Sequence, residues 1–195
     1  MIKLGLTGSI GMGKSTTAKM FAAAGIPVHD ADASVHVLYD GRAAPLIEAL
    51  FPGTVIDGKV DRTLLSPHVV GKPDAMKELE AIIHPLVREE ENAFLERAAT
   101  ERQRIVVLDI PLLFESGGDQ RVDAAVVATA DHSIQRERVL SRSGMTDDRF
   151  QAILAKQMPD ADKRLRAHFL IDTGLGLASA KRAVQAILKS VSGIG

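Results

Sequence analysis

The chain has 195 residues, with 24 Lys and Arg against 25 Asp and Glu for a formal net charge of −1, and is 46% hydrophobic and 25% charged. That balance excludes a disordered chain and supplies enough apolar surface for one domain burying roughly 70% of its area without covalent staples. Cysteine and tryptophan are absent and tyrosine occurs once, which removes disulfides, thiolate metal sites and a Cys nucleophile and, with the near-zero charge, gives little support for a basic groove with stacking platforms for nucleic acid.

Taken in order, the chain alternates short β-rich runs with longer helical stretches. Met1–Gly5 leads into a strand pattern over Ile2–Thr7 with no basic or apolar leader before it. Lys14–Ala24 places Ala18, Phe21 and Ala22 at helical spacing and stops at Gly25. Ile26–His29 is a short second strand. About 70 residues punctuated by Pro45, Pro52, Pro67, Pro73 and Pro85 follow, helical over Asp74–Thr100 except for an expected break at His84-Pro85. Strands return at Arg104–Ile110, Ala124–Thr129 and Phe169–Asp172. Helices are expected over Ser133–Ser143, Thr146–Gln157 with a Thr/Asp cap, and Leu177–Val191. Strands alternating with helices predict an α/β fold with a parallel sheet and right-handed crossovers. No apolar run reaches the ~18 residues of a membrane span. The expectation is a cytoplasmic protein without membrane or nucleic-acid partners, a monomer or weak homo-oligomer.

Gly8-Ser9-Ile10-Gly11-Met12-Gly13-Lys14-Ser15 satisfies G-x-x-x-x-G-K-[ST] between a predicted strand and a predicted helix. Gly8, Gly11 and Gly13 let the main chain approach phosphate oxygens closely. The amides from Gly11 through Met12 and Gly13 to Thr16, at a helix N-terminus, form a concave anion site. Lys14 reaches the β- and γ-phosphates, and Ser15 offers a hydroxyl to Mg²⁺, a hard cation that takes oxygen ligands. The pattern predicts binding of a nucleoside triphosphate with Mg²⁺, but no particular reaction.

A switch GTPase needs an Asn-Lys-x-Asp base reader, whereas the single Asn, Asn92, is followed by Ala93. A compact kinase whose lid excludes water remains. Arg136, Arg138 and Arg142 share a predicted helix, with Arg138 and Arg142 one turn apart. They are either a clamp on the transferring phosphoryl group or a solvated charged face. Asp30-Ala31-Asp32 follows the second strand, where both carboxylates suit helix caps, Asp30 alternatively holds a Mg²⁺-bound water, and Asp32 alternatively orients a hydroxyl acceptor and takes its proton. Asp109 ends the third strong strand, as a Mg²⁺ assistant or as a satisfied buried carboxylate.

Together these residues resemble the dephospho-coenzyme A kinase family. The resemblance runs nearly end to end: Leu6–Ser15, Asp30–Asp32, Asp57-Gly58-Lys59-Val60-Asp61-Arg62, Leu79–Pro85, Asp109-Ile110-Pro111-Leu112-Leu113-Phe114-Glu115, Gln135 with Arg138 and Arg142, Gln157-Met158-Pro159 and Ile171-Asp172. It implies a single P-loop kinase domain over residues 1–195. That domain has a five-stranded parallel sheet, a helical acceptor-binding insertion at about 41–100 and a helical lid at about 133–158. It also implies transfer of the ATP γ-phosphoryl group to the ribose 3′-hydroxyl of dephospho-coenzyme A. Asp32 matches the family's general base, Arg138 a lid arginine, and Arg62 and His84 acceptor-lobe positions. Arg88 is a further candidate for the acceptor's pyrophosphate. His84 equally suits a structural place before a helix-opening proline, and Arg88 a surface pairing with Glu89 or Glu91. Ser9 and Met12 stand where the family often has Gly and Ser, and Thr173 where it usually has Asn. A nucleoside or nucleoside-monophosphate kinase is the nearer alternative, disfavoured because Asp109–Leu113 replaces an Asp-Gly-Phe-Pro-Arg segment. An ATP-binding regulatory protein is the more distant one, and it would leave Asp32 without a task.

Overall fold

The structure, a computed structural model, describes residues 1–193 and divides into two compact units, Met1–His29 with the chain from Ala98 onward, and Asp30–Arg97. In chain order the elements are β1 (Ile2–Thr7), α1 (Lys14–Ala23), β2 (Val28–Asp30), α2 (Ala31–Tyr39), α3 (Ala44–Leu50), β3 (Val55–Ile56), β4 (Lys59–Val60), α4 (Arg62–Val69) and α5 (Pro73–Thr100). Then come β5 (Ile105–Asp109), a 3₁₀ turn (Gly118–Arg121), β6 (Ala124–Thr129), α6 (His132–Leu140), α7 (Asp147–Leu154), α8 (Asp160–Arg166), β7 (Phe169–Asp172) and α9 (Leu177–Ser192).

The first unit is organised by a five-stranded parallel sheet in the order β2-β5-β1-β6-β7. β1 sits at its centre, parallel to both β5 and β6. Every residue of β5 and β6 is buried, which is why they read as unbroken apolar runs: a parallel strand covered on both faces has no solvent side to mark with polar residues. β7 lies at an edge and alternates in exposure. α9 buries Ala180, Val184, Ile187 and Val191, an i, i+4, i+7, i+11 stripe, and α1 contributes Phe21 to the same core. Phe21 is fully buried, so its truncation to Ala costs about 3–5 kcal/mol. The register sets the chemistry: Leu6 pairs with Asp109, so the last residue of β5 lies beside the point where β1 gives way to the glycine loop.

The second unit has its own core, including Leu38, Ile47, Phe51, Leu65, Leu79 and Ile83. It differs from the sequence reading in two ways. β3 and β4 form an antiparallel hairpin closed by Asp57-Gly58, both at positive φ (50° and 77°), in a segment expected to be helical. An Asp-Gly pair between short β-prone runs is the usual signal for such a turn. The expected break at His84-Pro85 is also absent, because α5 continues through Pro85 for 28 residues. Proline removes one helical hydrogen bond, and Leu79 and Ile83 in the preceding turn are buried in the core, so packing holds the helix across the defect.

Candidate active site

The glycine loop leaves β1 at Gly8, whose missing side chain is required: a Cβ there would lie 2.6 Å from Ala128 O of β6. Gly11 and Gly13 have φ of 78° and 84°, conformations that L side chains rarely adopt. Gly13 caps α1 in the left-handed region, so the first-turn amides of α1 open toward the loop. Ser15 and Thr16 are exposed on that turn, and Thr17 is buried and ties its hydroxyl to Gly13 O at 3.1 Å. Met12 is buried; its amide donates to Ser9 O at 3.0 Å, and its Sδ receives the Ala130 amide.

Lys14 Nζ lies 2.6 Å from Asp109 Oδ1. Asp109 is almost fully buried, and the ion pair is a direct product of the Leu6–Asp109 register. The lysine thus rests on the carboxylate that the sequence proposed for the metal.

The arginines of α6 part company. Arg136 pairs outward with Asp147 at 3.0 Å. Arg138 instead turns to the loop side: it donates to Thr173 Oγ1 at 2.8 Å and Thr173 O at 2.9 Å, with Gly11 O at 3.4 Å. Buried Thr173 contacts Met12 O at 2.9 Å and Thr129 O at 3.2 Å through its hydroxyl. Arg138, exposed Arg142, Gly11, Gly13, Thr16 and Thr173 share the lining of a cavity of about 320 Å³. Arg138 and Arg142 are thus brought to the loop, while Arg136 is not.

Several contacts here had no local signal. Ile10 is held by Gln157 and Gln135, through its N–H and its carbonyl respectively. Glu115 Oε1 accepts from the Met158 amide at 2.7 Å and lies 2.9 Å from Nζ of fully buried Lys163, an ion pair off the aligned hydrogen-bond direction. Burial pushes the Glu115 carboxyl up, but Lys163 and the Met158 amide outweigh it and hold the carboxyl below its ordinary range. Arg166 adds a 2.6 Å bond to Asp119 and stacks on Phe114. Gln135, Gln157 and Glu115 lie within motifs visible in the sequence, but nothing at Lys163 marks it as buried.

In the second unit, Asp30 is the N-cap of α2 and accepts from the Ala33 amide at 3.0 Å. Asp32 stands exposed in the first turn of that helix with no hydrogen bond among the described residues. Arg62, opening α4, lies over the Tyr39 ring at 5.2 Å and reaches His36 Nδ1 at 3.4 Å. Burial raises the Tyr39 phenol, opposed by the Arg62 charge. His84 and Arg88 are exposed one turn apart on α5. His84 therefore lies inside a helix and not before one that opens at Pro85, and Glu89 is paired with Arg42.

Among the described residues no group of three or more His, Asp or Glu gathers as a metal cage. Magnesium does not need one. It keeps waters, takes few carboxylates and completes its shell with substrate phosphates. The exposed Ser15 hydroxyl, next to Lys14 in the chain, and the Asp109 carboxylate that pairs with Lys14 are hard oxygen donors of the kind that suits that chemistry.

A family profile described as "Dephospho-CoA kinase" matches residues 2–179. The dephospho-CoA kinase of Mesorhizobium japonicum (strain LMG 29417 / CECT 9101 / MAFF 303099) is 62% identical over 193 residues, covering 99% of this chain and 98% of its own. The crystal structure of TT1252 from Thermus thermophilus superimposes with a TM-score of 0.83 at 34% identity, over 97% of each chain. A dephospho-CoA kinase from Campylobacter jejuni, at 24% identity and a TM-score of 0.73 over 98% of this chain and 97% of its own, shares the fold.

Proposed function

The chain belongs to the dephospho-CoA kinase family, and from that premise we propose which of its residues carry out the reaction. The protein transfers the γ-phosphoryl group of ATP to the ribose 3′-hydroxyl of dephospho-CoA, giving CoA in the last step of CoA biosynthesis. The observation that carries the site assignment is the glycine loop capping α1 with Lys14 poised on Asp109.

In the proposed reaction, the loop amides and Lys14 hold the β- and γ-phosphates. Lys14 turning to the triphosphate would release the Asp109 carboxylate, which together with the exposed Ser15 hydroxyl would hold Mg²⁺. The bound metal supplies charge neutralisation on the phosphate oxygens. The acceptor 3′-oxygen forms a bond to γ-phosphorus as the bond from phosphorus to the β–γ bridging oxygen breaks. ADP leaves with that electron pair, and Asp32 takes the hydroxyl proton. Asp32 suits this role because its carboxylate has no competing partner among the described residues, whereas Asp30 is occupied as a cap. Arg138 and Arg142 meet charge on the transferring group from the lid at about 133–158. Arg62, His84 and Arg88 offer cationic or hydrogen-bonding groups to the acceptor's phosphates in the insertion at about 41–100.

The test is ADP release with Mg²⁺-ATP and, in turn, dephospho-CoA, AMP, adenosine or no acceptor. Release that requires dephospho-CoA, with CoA identified by mass, supports the reading. Release with AMP or adenosine alone refutes the assignment of the insertion to the acceptor.

A further inference from the structure

One residue of the glycine loop is held through both of its flanking peptides by side chains outside the loop. The Ile10 amide donates to Gln157 Oε1 at 3.0 Å, and the Ile10 carbonyl accepts from Gln135 Nε2 at 2.8 Å. The orientation of each side-chain amide is dictated by chemistry, since an N–H needs an acceptor and a carbonyl a donor.

Both glutamines are themselves anchored. Gln135, on α6, is buried, and its Oε1 meets His132 Nδ1 at 3.2 Å. The His132 ring stacks on that of fully buried Phe150 in α7, with centroids 6.2 Å apart. Gln157 lies three residues past the end of α7, and the next amide, Met158, is fixed to Glu115. The α7 segment therefore reaches the same loop residue twice, through Phe150, His132 and Gln135 on one side and through Gln157 on the other.

Ile10 immediately precedes Gly11, and between Gly11 and Lys14 the chain takes positive φ twice. Glycines that reach such conformations freely also leave them freely, so a loop of this kind needs outside restraint if its amides are to be aimed before the ligand arrives. The clamp uses the Ile10 amide and carbonyl and leaves the first-turn amides of α1 open.

We propose that Gln135 and Gln157 are positioning residues that pre-set the phosphate loop for a triphosphate by holding the backbone of Ile10 between them, one on each flanking peptide. The inference deepens the proposed function and rests on it only for the identity of the nucleotide.

The test is calorimetric titration of Mg²⁺-ATP into the full-length chain without acceptor, for wild type, Q135M, Q157M and the double variant. Melting temperatures and the KM for dephospho-CoA are measured alongside. Each single variant is expected to weaken ATP binding by about 5–10-fold, the worth of one net hydrogen bond. The KM for dephospho-CoA stays within about twofold, because a loop defect acts on the nucleotide alone, and the melting temperature moves by less than roughly 4 °C. The double variant is expected to bind about as weakly as the worse single one, since both hold the backbone of one residue. Losses that multiply in the double variant overturn the shared clamp. So do unchanged ATP affinity in Q157M, or a rise in both substrate constants with a large fall in melting temperature. Should Q135M not fold, Q157M decides the matter by its ATP affinity. Wild type that binds ATP but leaves dephospho-CoA unphosphorylated refutes the acceptor assignment while the clamp remains under test.

Discussion

Replacing Glu115 by Ala removes the carboxylate that faces a fully buried ammonium. Lys163 has no exposed surface, and Glu115 retains 18% side-chain exposure, so the two ends of the pair are not equivalent. Losing Glu115 leaves a charge inside the protein without its counter-ion, a change that costs about 3–5 kcal/mol. The Met158 amide loses its acceptor as well, adding about 1 kcal/mol. For a domain of this size each kcal/mol moves Tm by about 2–4 °C, so E115A is expected to melt roughly 8 °C lower or more. K163M replaces the ammonium with an apolar chain of similar length and leaves Glu115 able to turn to water, so its loss is expected to be under about 2 kcal/mol. The double variant E115A/K163M should therefore be more stable than E115A alone. Thermal melts and urea titrations of the four proteins measure this directly. If E115A and K163M lose equal stability, or their losses simply add, the account of an uncompensated buried charge is wrong. The pH dependence gives a second check. The Glu115 carboxyl is held below its ordinary range, so its stabilisation is present above the unfolded value of about 4.3 and fades as pH falls through the lower folded value. The gap between wild type and E115A should accordingly narrow below pH ~4.

Asp32→Asn is expected to lower kcat by about 10²–10⁴-fold while ATP affinity stays within about twofold, and unchanged turnover would remove the base role. Gly13→Ala places a Cβ 2.8 Å from Thr173 Oγ1 at a φ of 84°. It should weaken ATP binding by more than about tenfold and lower Tm, as read by nucleotide titration and thermal melts. Glu48 accepts the amides of Gly53, Thr54 and Val55, and the Gly53 bond most of all draws its carboxyl below the ordinary range, against burial. Its stabilisation therefore exists above the unfolded carboxylate value and is lost on acidification. Glu48→Ala should melt below wild type at pH 7 and converge with it below pH ~4.

Some of this protein can be read residue by residue because the physics is local. A strand of six residues, a glycine loop and a helix starting at Lys14 follow from the order Ile2–Ala23, since each step depends on neighbours in the chain. The same holds for the Thr146 cap of α7, which accepts from the Arg149 amide. The amphipathic stripe of α9 belongs here too, because helical spacing alone selects the buried face. The signal for the Asp57-Gly58 hairpin is equally local, although the insertion around it is expected to be helical.

Other features exist only through packing and register. Lys14 meets Asp109 across 95 positions because β1 and β5 pair with Leu6 opposite Asp109. A different register would leave the same two residues apart. Gln157 reaches Ile10 from 147 positions away, and Thr173 reaches Met12 from 161. Pro85 breaks helices in isolation, yet α5 runs through it with Leu79 and Ile83 buried. Lys163 lies between Asp162 and Arg164 in a polar stretch that reads as surface, yet it is sealed inside by α8 docking and the Glu115 carboxylate. Side-chain type and spacing determine what each residue is able to do. Which partner it meets is a property of the folded sheet and the helices packed on it, because contact between distant residues is decided by the sum of the burial energy and not by any short stretch of chain.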